Sequence, residues 1–98
     1  AAMKESAFIV NTSRAPIIDQ DALYNALTSN SIAGAGLDVY MSEPLATDDR
    51  FRTLENVILT PHIGYVTVEN HEKHYTDIVE NIVKFLDGDP IRVLAQPA

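Results

Sequence analysis

The 98 residues contain no cysteine, which excludes a disulfide framework and any thiolate metal site. No apolar run approaches the ~18 residues that a membrane-crossing helix needs, so a membrane is not an expected partner. Basic residues are scarce. Seven Lys and Arg stand against fourteen Asp and Glu, a formal charge of −7 that repels nucleic-acid phosphates and anionic lipid surfaces. Nucleic acid is therefore not an expected partner either. The first residues show no charged-then-apolar signal pattern, and a cytoplasmic setting is the expectation. Internal repeats and low-complexity tracts are absent. What is present is an ordinary globular composition, 46% apolar and 21% charged, enough for one modest core.

Three short apolar runs carry most of the information. Ala7-Phe8-Ile9-Val10 leads through Asn11-Thr12-Ser13 to Arg14. Ala33-Gly34-Ala35-Gly36-Leu37 is followed by Asp38-Val39-Tyr40 and then by Glu43-Pro44, and Asn56-Val57-Ile58-Leu59-Thr60 runs into Pro61-His62-Ile63-Gly64. Apolar runs of this length without polar alternation read as strands of a parallel sheet buried on both faces. Ligands of open α/β sheets bind beyond the carboxyl ends of the strands. The spacing thus predicts that Arg14, Asp38, Glu43 and His62 line one edge of one sheet.

Between the first two runs, Asp19 is suited to cap a helix reaching about Asn30, with Asp21 in its first turn and Ile18, Ala22, Leu23, Ala26 and Leu27 on one face. Strand, helix, strand makes a βαβ unit. The segment from Met41 to Leu54 has no sustained periodicity and reads as a loop with one helical turn near Arg50–Leu54. From Thr67 the pattern becomes a long helix, with Glu69 in its first turn and Gly88 as its stop before Pro90. Tyr75, Ile78, Val79, Ile82, Val83, Phe85 and Leu86 form a stripe too wide to leave in water. Ile91–Leu94 is expected to add a final extended segment. Ala1–Ser6 enters the first strand without a turn or cap signal, so the chain reads as a piece of a longer protein.

Singly, the polar residues at the strand ends have bland alternatives. His62, beside Pro61, is suited to take and give a proton near neutrality, and a surface loop histidine would look the same. Glu43 can orient an imidazole or be a solvated acid; Arg14 can grip a carboxylate or sit idle on the surface. Asp38 can accept from an amide or simply begin a loop. His71 and His74, three apart on the long helix, have no evident third ligand, and no metal is expected.

Together, Asn11-Thr12-Ser13-Arg14, Gly34-Ala35-Gly36-Leu37-Asp38-Val39, Glu43-Pro44-Leu45 and Thr60-Pro61-His62-Ile63-Gly64 closely resemble the D-isomer-specific 2-hydroxyacid dehydrogenases over nearly the whole chain. The resemblance implies an α/β fold: a partial Rossmann-like parallel sheet of about three strands with flanking helices and a long C-terminal helix. Residues 1–66 would be the second half of a dinucleotide-binding domain, and 67–98 the crossover helix and tail toward a substrate domain. It implies that Arg14 holds the substrate carboxylate, that His62 exchanges the proton, and that Glu43 pairs with His62. Thr12, Ser13, Arg14, Asp38, His62 and Gly64 would line the cofactor site, the cofactor being NAD, with NADP also open. The substrate would be a 2-keto or 2-hydroxy acid and the parent protein a homodimer.

Two residues depart from the family pattern: Ala15 stands where glycine is usual, and Tyr65 where a small residue often follows. No Gly-x-Gly-x-x-Gly turn is present either; Gly34 and Gly36 lie before and within the second strand, where they cannot cradle a pyrophosphate. The 98 residues alone are therefore expected to be inactive. Two further readings compete: a nucleotide-sensing transcriptional corepressor of the C-terminal binding protein type, which shares the same triad, and a non-catalytic association domain.

Overall fold

A computed structural model describes residues 2–94, which divide between Gly64 and Tyr65 into two compact units. The first holds three strands, β1 (Phe8–Asn11), β2 (Gly34–Leu37) and β3 (Val57–Leu59), in one parallel sheet ordered β1-β2-β3. Helix α1 (Gln20–Thr28) connects β1 to β2. The second crossover, from Asp38 to Asn56, contains only a 3-10 turn at Arg50–Thr53; another such turn, Ala15–Ile17, precedes α1.

Helix α1 begins where Asp19 Oδ1 accepts the amide protons of Asp21 and Ala22, at 3.0 and 2.9 Å. It stops at Thr28, two residues before the position expected from sequence. Asn30 adopts a left-handed conformation, φ 54°, so that its amide bonds Leu27 O and the Ser31 amide bonds Ala26 O. Those two bonds satisfy carbonyls that the last turn would otherwise leave open.

The register places Ile9, Ala35 and Val57 in one row and Leu37 beside Leu59 in the next. This face packs on Leu23 and Leu27 of α1, and Ile32 and Phe51 complete the core. The opposite face carries Phe8, Val10 and Ile58, which are 71%, 71% and 73% exposed. The expectation of strands buried on both faces is thus corrected. Apolar residues on both faces of a strand show what the strand can bury, whereas burial itself requires a second layer.

The second unit contains α2 (Val68–Leu86). Thr67 caps it by accepting from the Asn70 amide at 3.2 Å, and Gly88, at φ 76°, ends it with the same pair of carbonyl-closing bonds, from Gly88 N to Phe85 O and from Asp89 N to Lys84 O. Nineteen residues make a helix about 28 Å long. Its stripe from Tyr75 to Leu86 is exposed throughout. The extended segment expected at Ile91–Leu94 does not form a strand. Arg92, at φ 53°, instead turns its guanidinium onto Asn81, Asp77 and Glu80, and these charge-assisted bonds hold it beside α2. No helix among the described residues is long and apolar enough to cross a membrane.

Candidate active site

The carboxyl ends of the three strands converge because the strands are parallel and in register, and each end is shaped by a side chain that folds back on its own turn. After β1 the organiser is Asn11. It is buried, donates from Nδ2 to Arg14 O at 2.9 Å and accepts the Ser13 amide on Oδ1 at 3.1 Å. Thr12, Ser13 and Arg14 are thereby set in a defined turn. The exposed Arg14 guanidinium donates from Nη1 to Ser13 O at 2.7 Å.

After β2 comes Asp38, only 4% exposed. Its Oδ1 accepts from the Thr60 hydroxyl and from the Ile63 amide at 3.0 Å, and its Oδ2 accepts from the Gly64 amide at 2.8 Å. The Thr60 hydroxyl, then the Ile63 and Gly64 amides and the His62 charge, hold this carboxyl below the usual aspartate range despite its burial. A Cβ at Gly64 would come within 3.0 Å of Asp38 Oδ2, so a side chain there would crowd the carboxylate. The same Cβ would lie 3.7 Å from Thr12 Cβ, which places β1, β2 and β3 ends around one point.

His62 occupies the turn that Asp38 grips. Its backbone is left-handed, φ 57°, a conformation costing roughly 1–2 kcal/mol for most residues and more often accepted by histidine. The two amides held by Asp38 stabilise that turn. The imidazole Nδ1 lies 2.7 Å from Glu43 Oε2, while Glu43 Oε1 accepts the Tyr40 amide at 2.9 Å. These two bonds, led by the one to His62 and aided by the positive charges of His62 and Arg14, keep the Glu43 carboxyl below its ordinary value. Both side chains are about a third exposed and line a cavity of about 320 Å³ together with Tyr40, Pro44, Leu45, Arg52, Leu59, Thr60 and Pro61.

Of the residues predicted from sequence, the structure pairs Glu43 with His62, gathers Thr12, Asp38 and Gly64, and brings the Arg14 charge within electrostatic reach of Glu43. Ser13 is engaged through its backbone. The fold adds four structural partners to these: Asn11, Thr60, Tyr40 and Arg52. The Tyr40 hydroxyl lies 2.8 Å from both Leu37 O and Thr60 O, tying β2 to β3, and burial raises its pKa. For Asn11 a signal existed, a lone amide directly after an apolar run. The other three become visible only in the fold, Thr60 and Tyr40 through bonds across 22 and 20 residues and Arg52 through bonds across 6 and 7.

The family model described as D-isomer specific 2-hydroxyacid dehydrogenase, NAD binding domain, matches residues 1–64. The chain belongs to this family. It is 45% identical over 87 residues to a glyoxylate reductase from Korarchaeum cryptofilum, covering 89% of the chain and 26% of that relative. Among solved structures, Rhodotorula graminis D-mandelate dehydrogenase superposes with a TM-score of 0.81 at 40% identity, over 99% of this chain and 28% of the other. A D-isomer specific 2-hydroxyacid dehydrogenase from Xanthobacter autotrophicus Py2, in complex with NADPH and MES, matches with a TM-score of 0.75 at 34% identity, over 97% and 38%. The chain therefore spans about a quarter of the length of the curated relative, and its α/β sheet is the Rossmann-like sheet of these oxidoreductases.

The polar groups at the strand ends suit one half of the cofactor that the family name implies. A carboxylate offers about four lone-pair sites, and Asp38 uses three within the protein, which leaves it able to accept one further N–H. Gly64, lacking a side chain, lets the backbone lie close to the Asp38 carboxylate and to Thr12. These features fit the amide-bearing nicotinamide half of a dinucleotide. For the pyrophosphate half the chain offers no glycine-rich turn.

Proposed function

We propose that the protein to which this chain contributes interconverts 2-keto acids and D-2-hydroxy acids with NAD or NADP. The observation that supports this most is the Glu43–His62 pair at 2.7 Å, set at the carboxyl edge of the sheet within reach of the Arg14 charge. When bound, the nicotinamide would supply or accept the hydride. In the proposal, Thr12, Ser13, Asp38 and Gly64 receive its amide-bearing end. Arg14 binds the substrate carboxylate with its fork of donors and polarises the adjacent keto oxygen. His62 gives a proton to that oxygen in reduction and removes it in oxidation. With Nδ1 directed to Glu43, the exchange takes place at Nε2, and the Glu43 carboxylate stabilises the imidazolium on the opposite side of the ring.

Residues 1–66 act as half of a dinucleotide-binding domain and 67–98 lead toward a substrate domain. The relatives named above are a reductase and dehydrogenases, which supports catalysis over the corepressor reading. We further infer a cytoplasmic homodimer that engages no nucleic acid, the last from its charge of −7. The test is NADH- and NADPH-dependent turnover of a panel of 2-keto acids by the whole protein. His62→Ala is expected to lower kcat by about 10²–10⁴-fold. Unchanged turnover in that variant, or none with any 2-keto acid in the wild type, would refute the proposal. The 98 residues alone are expected to show no turnover above their own His62→Ala control, because half a site cannot hold the reacting atoms together.

A further inference from the structure

Glu43 lies in a crossover that has no helix to stiffen it, yet its carboxylate has to stay on His62 Nδ1. On one side, the Tyr40 amide holds Oε1. On the other, the chain immediately after Pro44 is gripped by Arg52, whose Nε donates to Ala46 O at 2.7 Å and whose Nη2 donates to Leu45 O at 2.9 Å. Arg52 has a firm base. It belongs to the 3-10 turn Arg50–Thr53, which Asp49 caps by accepting the Phe51 amide at 2.8 Å. The neighbouring Phe51 is 4% exposed, sits in the core and meets the Tyr24 ring edge-on at 5.7 Å. A continuous line of contacts thus runs from the core through Phe51 and Arg52 to the backbone two residues from Glu43. Pro44, with its fixed φ, is the one residue between Glu43 and Leu45, and it removes one of the torsions that separate Glu43 from the first gripped carbonyl.

We propose that Arg52 is a positioning residue, holding the Leu45 and Ala46 carbonyls so that the Glu43 carboxylate remains aligned on His62 Nδ1. This rests on the reaction proposed above, in which that alignment orients the proton-exchanging imidazole. In this role Arg52 acts through two main-chain oxygens, those of Leu45 and Ala46. A planar fork serving two carbonyls at once is what a lysine cannot reproduce, since its ammonium is a single point of donation.

The experiment compares Arg52→Met and Arg52→Lys with wild type and Glu43→Gln in the whole protein, reading kcat and KM and, separately, the downfield proton resonance of the His62 Nδ1–H hydrogen bond. Arg52→Met is expected to lower kcat about 10–100-fold with KM little changed, and to weaken the resonance that Glu43→Gln abolishes. Arg52→Lys, which keeps the charge and stem, should fall between Met and wild type in both readouts. A folded Arg52→Met with wild-type kcat and resonance overturns the proposal. So does full rescue by lysine, which would assign the effect to charge. If Arg52→Met fails to fold, the lysine variant decides: a lowered kcat with a weakened resonance supports positioning, and wild-type behaviour overturns it. Should the wild type reduce no 2-keto acid, the proposed reaction fails, while the resonance still reports whether Arg52 aligns the pair.

Discussion

Gly34 and Gly36 lie two residues apart on the same face of the central strand, and substituting alanine at each should move stability in opposite directions. At Gly34 a Cβ would stand 2.6 Å from Asn56 O, a contact that has to open to at least 3.0 Å. The oxygen cannot retreat freely. It accepts the Ala35 amide at 3.0 Å, and the Asn56 side chain is bound to Leu27 O at 3.2 Å, on a helix residue only 1% exposed. Moving Asn56 therefore stretches the β2–β3 pairing and the contact to α1 together. The ring of Phe8, 3.1 Å from the same Cβ but largely exposed, can turn aside at little cost. Overpacking of this kind costs about 1–3 kcal/mol, against which removing glycine's freedom from the unfolded chain returns about 0.4–1 kcal/mol. Gly34→Ala should thus be net destabilising, by about 1 kcal/mol and at most about 2.6 kcal/mol. At Gly36 the new methyl would find only the Val10 methyl groups, at 3.7 and 3.8 Å, which is ordinary contact. There the unfolded-state effect acts alone, and Gly36→Ala should stabilise by about 0.4–1 kcal/mol. Urea unfolding with unchanged m-values gives both numbers from the shift in midpoint. Equal shifts in the two variants, or a stabilised Gly34→Ala, would show that backbone approach at Asn56 does not govern this strand.

Leu27→Ala should lower unfolding stability by about 2–5 kcal/mol, because Leu27 is 1% exposed at the centre of the α1–sheet contact; a loss below 1 kcal/mol in a urea titration would count against that packing. Asp19→Ala removes the acceptor of two amide protons at the start of α1 and should cost about 1 kcal/mol, whereas Asp19→Asn should retain most of it. Acid sensitivity follows from Asp38 and Glu43, whose folded pKa values lie below the ordinary 3.8 and 4.5. For groups depressed on folding, the stabilisation is fully present above those ordinary values and is lost as pH falls through the lower folded ones. Stability followed by urea unfolding should therefore fall below about pH 4, less steeply in Asp38→Asn, and an identical acid limb in that variant would contradict the assignment.

Much of the scaffold was legible along the chain because its determinants are local. Asp19, Thr67 and Gly88 announce helix ends through the hydrogen bonds their own side chains or φ angles permit. Three apolar runs with crossovers too long for hairpins read as parallel strands, while the pairing register of the three is seen only in the fold. The early stop of α1 at Thr28 was less legible, since Asn30 tolerates a left-handed turn without demanding one. Arg92 was illegible for the opposite reason: its partners lie 11 to 15 residues back on α2, at separations no local pattern records.

At the candidate site the same division holds. The order Arg14, Glu43, His62 after three strands, with Asp38 directly behind the second, follows from sequence because parallel strands deliver their carboxyl ends to one edge. Which of these residues touch was decided by the fold alone. Glu43 meets His62 across 19 residues, Asp38 holds amides 25 and 26 residues away, and Arg52 reaches back 6 and 7 residues to carbonyls in the opposite direction from its own turn. Hydrogen bonds require distances near 3 Å and defined angles, and a linear pattern carries residue types and spacings without either. The exposed face of Phe8, Val10 and Ile58 makes the point in reverse. Sequence specified that both sides of these strands are apolar; only the tertiary structure decided that α1 covers one of them.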